Sequence, residues 1–326
     1  MLSEAIFNIQ SHEKFEEVAL RVFRYQYLKI PIYQRFCNLL GVTKTSVKSL
    51  EQIPYLPIRF FKQEKIYNPE AAIQKTFTSS GTTGSVTSKH HITNLKMYEE
   101  SFLRGFQHFY GSPENYTILA LLPSYLEREG SSLIYMFDGL IQKSNQPHSG
   151  FYLDELEELA IKIQLLKKQK KRILLVGVTF ALLDVAEKYQ FNLSEDTIIM
   201  ETGGMKGRRK EMIRSEVHTI LKKKFGVDQI HSEYGMTELL SQAYSLKNGL
   251  FTCPPWMQVY IRDPEEPQRI VTTSKSGGIN IIDLANINSC SFIATQDLGK
   301  KHDNDNFEIL GRFDHSDLRG CNLMVF

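Results

Sequence analysis

Scarcities set the first bounds on this chain. Its 326 residues hold four cysteines, Cys37, Cys253, Cys290 and Cys321, far apart in the sequence. No CxxC pair or Cys/His cluster has metal-ligand spacing, and no disulfide framework is expected. A reducing, cytoplasmic setting fits that usage. Neither sign of charge is in excess, since 39 basic and 37 acidic residues leave a net charge of +2. No bulk field therefore draws the chain to nucleic acid or to a membrane. Uninterrupted apolar runs of membrane-spanning length are missing. The opening "MLSEAIFNIQSHEKFEEVAL" lacks the basic start and apolar run of a secretion signal and reads as an amphipathic helix. Internal repeats and low-complexity tracts are absent too. What is left is a soluble, globular chain long enough for two domains or one large one.

Three compositional regimes follow one another. Residues 1–72 read as mainly helical: "HEKFEEVALRVFRYQYLKI" spaces its apolar residues helically, and Pro31, Pro54 and Pro57 then interrupt the pattern. Residues 73–245 alternate strand and helix. "YTILALLP", "RILLVGVT", "TIIMETGG" and "QIHSEYG" read as strands. "SSLIYMFDGLIQK", "DELEELAIKIQLLKKQKK", "FALLDVAEKYQ" and "RRKEMIRSEVHTILKKKFG" read as helices, the second with acids first and bases last, as the helix dipole prefers. That alternation predicts a layered α/β fold on a largely parallel sheet. From 246 to 310 the helices stop. "WMQVYIRD", "RIVTT", "GGINIIDL", "CSFIATQDLG" and "NFEILGRFD" predict a smaller β-rich region.

Three segments have the residue types for chemistry. "TFTSSGTTGSVTSKHH" places Ser79, Ser80, Gly81, Thr82, Thr83 and Gly84 together with no apolar side chain. Hydroxyls and glycine-freed N–H groups suit a phosphate nest, although such clusters also mark plain polar loops. The GxxxxGK[ST] register of a P-loop NTPase is not met. "HSEYGMTELLSQAY" sets Tyr234, Thr237 and Glu238 after a strand. An aromatic ring can stack on a base, a hydroxyl can donate to phosphate, and a carboxylate can hold Mg²⁺. The same pattern also reads as strand, turn and helix start, with Thr237 and Glu238 in the first turn. Asp297 in "ATQDLGK" and Arg312 in "GRFD" suit ribose hydroxyls, or are surface and turn charges. "KHH", residues 89–91, has no third ligand nearby and reads as strand or loop polarity.

In order, "SSGTTG", "YGMTE", "QDLG" and "GRFD…RG" resemble the motif series of the adenylate-forming acyl-activating enzymes. More narrowly, "LPSYLEREGSSLIYM", "METGGMKGRRKE", "SEYGMTELLSQAYS" and "RGCNLM" resemble the acyl-protein synthetases of the bacterial bioluminescence fatty-acid reductase complex. The resemblance implies the large N-terminal domain of that fold over 1–310, with 311–326 as a stub where relatives continue into a small C-terminal domain. It implies ATP and Mg²⁺ as cofactors. Ser79 to Gly84 would cradle the β- and γ-phosphates, Tyr234 would stack near adenine, and Thr237 would meet the α-phosphate. Glu238 would hold Mg²⁺, Asp297 and Arg312 would bind ribose, and Gly203 and Gly204 would line the boundary between adenine and acyl chain.

The implied activity joins a fatty or similar carboxylic acid to AMP, releases pyrophosphate, and moves the acyl group to a cysteine for delivery to an acyl reductase or acyl carrier. By resemblance that cysteine is Cys321, with Arg319 beside it; Cys290 is the second candidate and also reads as core. Relatives draw a lysine from that small C-terminal domain, which the resemblance implies is absent or reduced to a stub here. Lys89, the basic stretch Lys206 to Lys210, or a partner subunit are its candidate replacements. Tyr125 and Arg128 read equally as acyl-pocket residues or as a capped loop. A ligase to coenzyme A or an acyl carrier protein, and a non-catalytic adenylate-binding subunit, remain alternatives. Self-association is left open.

Overall fold

The computed structural model describes residues 2–79, 87–122, 130–153, 155–193, 195–203, 212–271 and 274–313. The helical start is α1 (Leu2–Phe7), α2 (His12–Lys29) and α3 (Pro31–Leu39). Ser11 caps α2 by accepting from the Lys14 N–H. Pro31 keeps Ile30 extended and starts α3 at once. The buried stripe of α2 is Phe15, Val18, Ala19, Val22 and Phe23, and it continues into the polar Gln26. Short β1 (Leu56–Pro57) and α4 (Phe60–Gln63) follow.

A hairpin comes next: β2 (Lys75–Thr78) pairs antiparallel with β3 (Lys89–Ile92). The Ser/Thr/Gly segment joins these two strands. Then come α5 (Leu95–Tyr110), β4 (Thr117–Leu121), α6 (Ser132–Ser144), β5 (Gly150–Phe151), α7 (Leu156–Lys168), β6 (Ile173–Val178), α8 (Thr179–Lys188), β7 (Thr197–Thr202), α9 (Arg214–Phe225), β8 (His231–Tyr234) and β9 (Ala243–Ser245). Their sheet runs β5-β4-β6-β7-β8-β9, parallel except for β9. Every residue of β6 is buried, as in a parallel strand covered on both faces. Gly177 in β6 is a packing requirement, because a Cβ there would lie 2.8 Å from the Leu121 side chain.

The last regime forms β10 (Met257–Arg262), β11 (Ser276–Asp283), β12 (Phe292–Lys301) and β13 (Phe307–Arg312). The sheet runs β1-β12-β11-β10, with β13 on β12 as well. One hydrophobic cluster runs through both sheets and the helical start.

Three expectations change. "RIVTT" makes only an isolated bridge, Ile270 opposite Arg262, among the described residues. The helix expected over 208–226 begins at Arg214, and 208–211 lie outside the described residues. No helix follows β8: residues 237 and 238 form a turn and the chain returns as β9. Thr237 and Glu238 are therefore not in the first turn of a helix. Buried Asp283 explains this, because it takes up the Leu240 and Ser241 N–H groups.

Candidate active site

The site lies where the two sheets meet, beyond the carboxyl end of β8, where open α/β sheets place ligands. Tyr234, the last residue of β8, donates from its hydroxyl to Asp297 Oδ2 across the seam at 2.7 Å. Its ring is buried, edge-on to Phe251 and Phe307. Burial and the Asp297 carboxylate raise the phenol's pKa well above its usual value, so it stays a donor. Arg312 is the register partner of Asp297 across β12 and β13 and donates from Nε to Oδ1 at 3.1 Å. The Arg312 side chain is 81% exposed against 9% for Asp297. Such a lopsided pair adds little to stability, and the guanidinium is free to exchange its partner for a ligand. Asp297 is thus a buried strand residue and not a surface charge.

Two residues after Tyr234 the chain turns. Thr237 is half-buried, whereas Glu238 is buried. Burial raises the Glu238 pKa, opposed by a hydrogen bond from Ser88 and by the charges of Lys62 and Arg312. The turn is held from three directions. From β11, Asp283 Oδ2 accepts from the Leu240 N–H at 2.7 Å and the Ser241 N–H at 3.0 Å. From the segment after β11, Asn286 donates to the Glu238 carbonyl at 2.8 Å. From β3, His90 Nδ1 meets the Thr237 carbonyl at 2.8 Å and its Nε2 meets Asn286 Oδ1 at 3.0 Å. His90 is fully buried, and burial lowers its pKa to about 4 despite these two partners. "KHH" is strand, as expected, and no metal pair: His91 turns the other way and meets Thr76 Oγ1 at 2.9 Å across the hairpin.

Ser79 closes the hairpin. Its N–H donates to the Ser88 carbonyl at 3.1 Å, and its Oγ accepts from the Ser88 N–H at 2.9 Å. Ser88, which this pairing holds, is also the hairpin residue that acts on the Glu238 carboxylate. Ser80, Gly81, Thr82, Thr83, Gly84, Gly204 and Cys321 lie outside the described residues, as do Arg319, Tyr125, Arg128 and Lys206 to Lys210. Gly203 follows β7 and is exposed, with φ at +71°, a conformation that favours glycine. Lys89 is exposed. Cys290 is core: its sulfur donates to the Phe292 carbonyl, and burial pushes its thiol pKa far up. Burial also pushes Cys37 and Cys253 up to about 12, so none of these three is a ready nucleophile.

Ser88, His90, Asn286 and Asp283 were not singled out as site residues. One signal was available: Ser88, just before β3, and His90, within it, stand two apart, the spacing that puts extended residues on one face. A further buried group stands at the ends of β7 and β8. Arg214 Nε donates to Glu201 Oε1 at 3.3 Å, and Thr202 donates to Glu233. Burial works against the Glu201 carboxylate, yet the His218 hydrogen bond and the Arg214 charge hold its pKa at about 2.

A magnesium ion that travels with a nucleotide needs one or two protein carboxylates, since phosphates and water fill the rest of its shell. Among the described residues no group of three or more His, Cys, Asp or Glu is placed to hold a metal unaided. Glu238 alone beside the hairpin fits a nucleotide-borne ion and not a protein-caged one. No helix of the described residues is long and apolar enough to cross a membrane.

Solved structures share this arrangement of sheets. The chain is similar to a 2-hydroxyisobutyryl-CoA ligase in complex with 2-HIB-AMP and CoA, with a TM-score of 0.69 and 14% identity over 94% of this chain and 72% of that one. It is also similar to ATP-bound MatB from Rhodopseudomonas palustris, with a TM-score of 0.53 and 15% identity over 74% of this chain and 48% of that one. O-succinylbenzoate coenzyme A synthetase (MenE) from Bacillus subtilis, in complex with AMP, matches with a TM-score of 0.52 and 16% identity over 76% of this chain and 50% of that one. The chain spans about half the length of the MatB and MenE structures. At such identities the likeness is one of fold, and the fold is that of the adenylate-forming enzymes. The family model for "Acyl-protein synthetase, LuxE" matches residues 140–326, more than half of the chain. The chain belongs to the LuxE acyl-protein synthetase family. No curated protein sequence matches it.

Proposed function

We propose that this chain activates a carboxylic acid, fatty or similar, with ATP and transfers the acyl group to a cysteine thiol. One observation supports the reading most directly: Tyr234, Asp297 and Arg312 form a linked set beside the Thr237–Glu238 turn and the Ser79 hairpin. A nucleotide needs those chemistries in that order, from sugar to phosphate. Asp297 offers a carboxylate to ribose hydroxyls, with Arg312 as donor beside it. Tyr234 serves adenine by its ring and Asp297 by its hydroxyl, and Gly203 with Gly204 leaves room where adenine meets the acyl chain.

In the first step a carboxylate oxygen attacks the α-phosphorus, the bond to the β-phosphate oxygen breaks, and pyrophosphate leaves with its electron pair. The Thr237 hydroxyl donates to the α-phosphate, and the hydroxyls and N–H groups of Ser79 to Gly84 hold the leaving phosphates. Magnesium bound at Glu238 would supply charge neutralisation. Fixed donors aimed at developing charge are the main source of rate here. In the second step a thiolate, assigned to Cys321, attacks the acyl carbon and AMP leaves. The acyl thioester then passes to an acyl reductase or acyl carrier.

The test is incubation with ATP, Mg²⁺ and a panel of fatty acids, read by pyrophosphate release and intact mass. A hydroxylamine-sensitive acyl adduct that disappears in Cys321→Ser is the expected result. Pyrophosphate release with no adduct, and product only after coenzyme A is added, would replace the acyl-protein reading with a coenzyme A ligase. ATP binding with neither signal would leave a non-catalytic adenylate-binding subunit.

A further inference from the structure

We propose that His90 is a positioning residue for nucleotide-borne magnesium, tying the hairpin that bears the Ser/Thr/Gly segment to the turn that bears Glu238. The inference rests on the adenylation reading and assigns a role to a residue outside its roster of contacts. Alternation along a strand sends every second side chain to the same face. Ser88, the residue just before β3, and His90 within it stand two apart and are both buried, and both reach the same turn. His90 meets the Thr237 carbonyl at 2.8 Å, and Ser88 acts on the Glu238 carboxylate against the burial that raises its pKa. The other ring nitrogen of His90 meets Asn286, whose amide donates to the Glu238 carbonyl at 2.8 Å. The peptide carbonyls of both Thr237 and Glu238 are therefore held through one imidazole and one amide.

Nothing in this unit is slack. His90 is fully buried, Asn286 is 1% exposed, and the Phe61 ring packs edge-on against the imidazole at 5.5 Å. Asn286 is fixed in turn, because buried Gln26 of α2 donates to its carbonyl at 2.9 Å. A carbonyl acceptor gripped in a buried site sets the direction of the peptide, and the peptide sets where the next side chain points. Partners that orient a metal-binding carboxylate without touching the metal commonly change metal affinity 10–100-fold when removed. Shortening β3 or shifting its register by one residue would take both Ser88 and His90 off the turn at once.

Calorimetry of nucleotide binding to the full chain tests this, with ATP in the presence of Mg²⁺ and again in EDTA. The quantity read is the factor by which Mg²⁺ tightens ATP. His90→Leu is expected to reduce that factor about tenfold. His90→Asn keeps a donor near the position of Nδ1 and is expected to return it to within about threefold of the parent. The melting temperature of each variant is recorded alongside. If both variants lose melting temperature together while the Mg²⁺ factor stays unchanged, His90 is a packing residue and the proposal is wrong. If His90→Leu does not fold, Asn286→Leu, which breaks the bridge to the Glu238 carbonyl, must reproduce the loss, and an unchanged factor there overturns the proposal. A parent protein that binds ATP in neither condition overturns the adenylation reading and this inference with it. A parent that binds Mg·ATP, with variants that do so equally well, overturns the His90 assignment alone.

Discussion

At the scale of single residues, buried polar groups hold the turn of the candidate site, and two of them make sharp predictions. Asp283 is buried at the end of β11, and burial raises its pKa to about 6 even though the Ser241 hydroxyl and the backbone N–H groups of Leu240, Ser241 and Ala285 oppose the shift. An unfolded aspartate titrates near ~3.9. Between those values the folded state binds more protons than the unfolded state, so the Asp283 contribution is fully present below ~4 and is lost as pH rises through about 6. Asp283→Asn can offer its carbonyl to the same N–H groups and its amide to the Ser241 hydroxyl, and it does not titrate. Urea unfolding of parent and variant at intervals from pH 4 to 7 should show the parent losing stability relative to the variant, by on the order of 2 kcal/mol. Parallel stability curves would reject the assignment. Glu238→Gln keeps shape and loses charge, and fatty-acid-dependent pyrophosphate release should fall about a hundredfold with the melting temperature little changed. Retention of full rate would remove Glu238 from the metal role.

Elements decide which of those residues meet. Gln26 lies on the apolar stripe of α2, and its amide supplies donors to the Asn286 and Ile287 carbonyls while its carbonyl accepts from the Ser291 N–H. Gln26→Leu fits the stripe but strands three buried backbone groups. Chemical denaturation should show a loss of about 3 kcal/mol, and a loss below about 1 kcal/mol would mean that water replaces the amide. The first helices thus steady the segment that holds the Glu238 carbonyl, although nothing in "RVFRYQYLK" marks Gln26 as more than a polar residue on a helix face. Strand and helix alternation was legible because periodicity is local: fully apolar "ILLVGV" reads as a covered strand, and it is one. The turn after Tyr234 was not legible. Thr237 and Glu238 satisfy the local rules for a helix start, and what prevents one is Asp283, more than forty residues on in sequence, capturing the N–H groups that follow. "RIVTT" reads as a strand for the opposite reason: its β propensity is local, while its pairing among the described residues is limited to the Asp263 N–H and the Ile261 carbonyl. Of the candidate site, the residues proposed to face the nucleotide were readable as motifs. Ser88, His90 and Asn286 were not, because each acts on backbone atoms of another segment.

Across the whole molecule, the proposed chemistry joins distant stretches. Thr237 and Glu238 follow β8, Asp297 and Arg312 come from β12 and β13, and Cys321 stands close to the last residue. Cys321→Ser should abolish the acyl adduct and leave the first turnover of pyrophosphate release intact, with intact mass and a burst assay reading the two steps apart. An adduct that survives the substitution moves the acceptor to another thiol.

The hydrogen bond from Tyr234 to Asp297 also has a mechanical side. It is a rivet between two sheets, and a nucleotide gripping ribose at Asp297 and phosphate at the hairpin would span the same joint. One apolar cluster runs through both sheets, so heat unfolds them together. Calorimetric scans should then show one endotherm for the free chain, and saturating nucleotide should move it to higher temperature without splitting it. The ligand of such a protein is a load-sharing member of its frame.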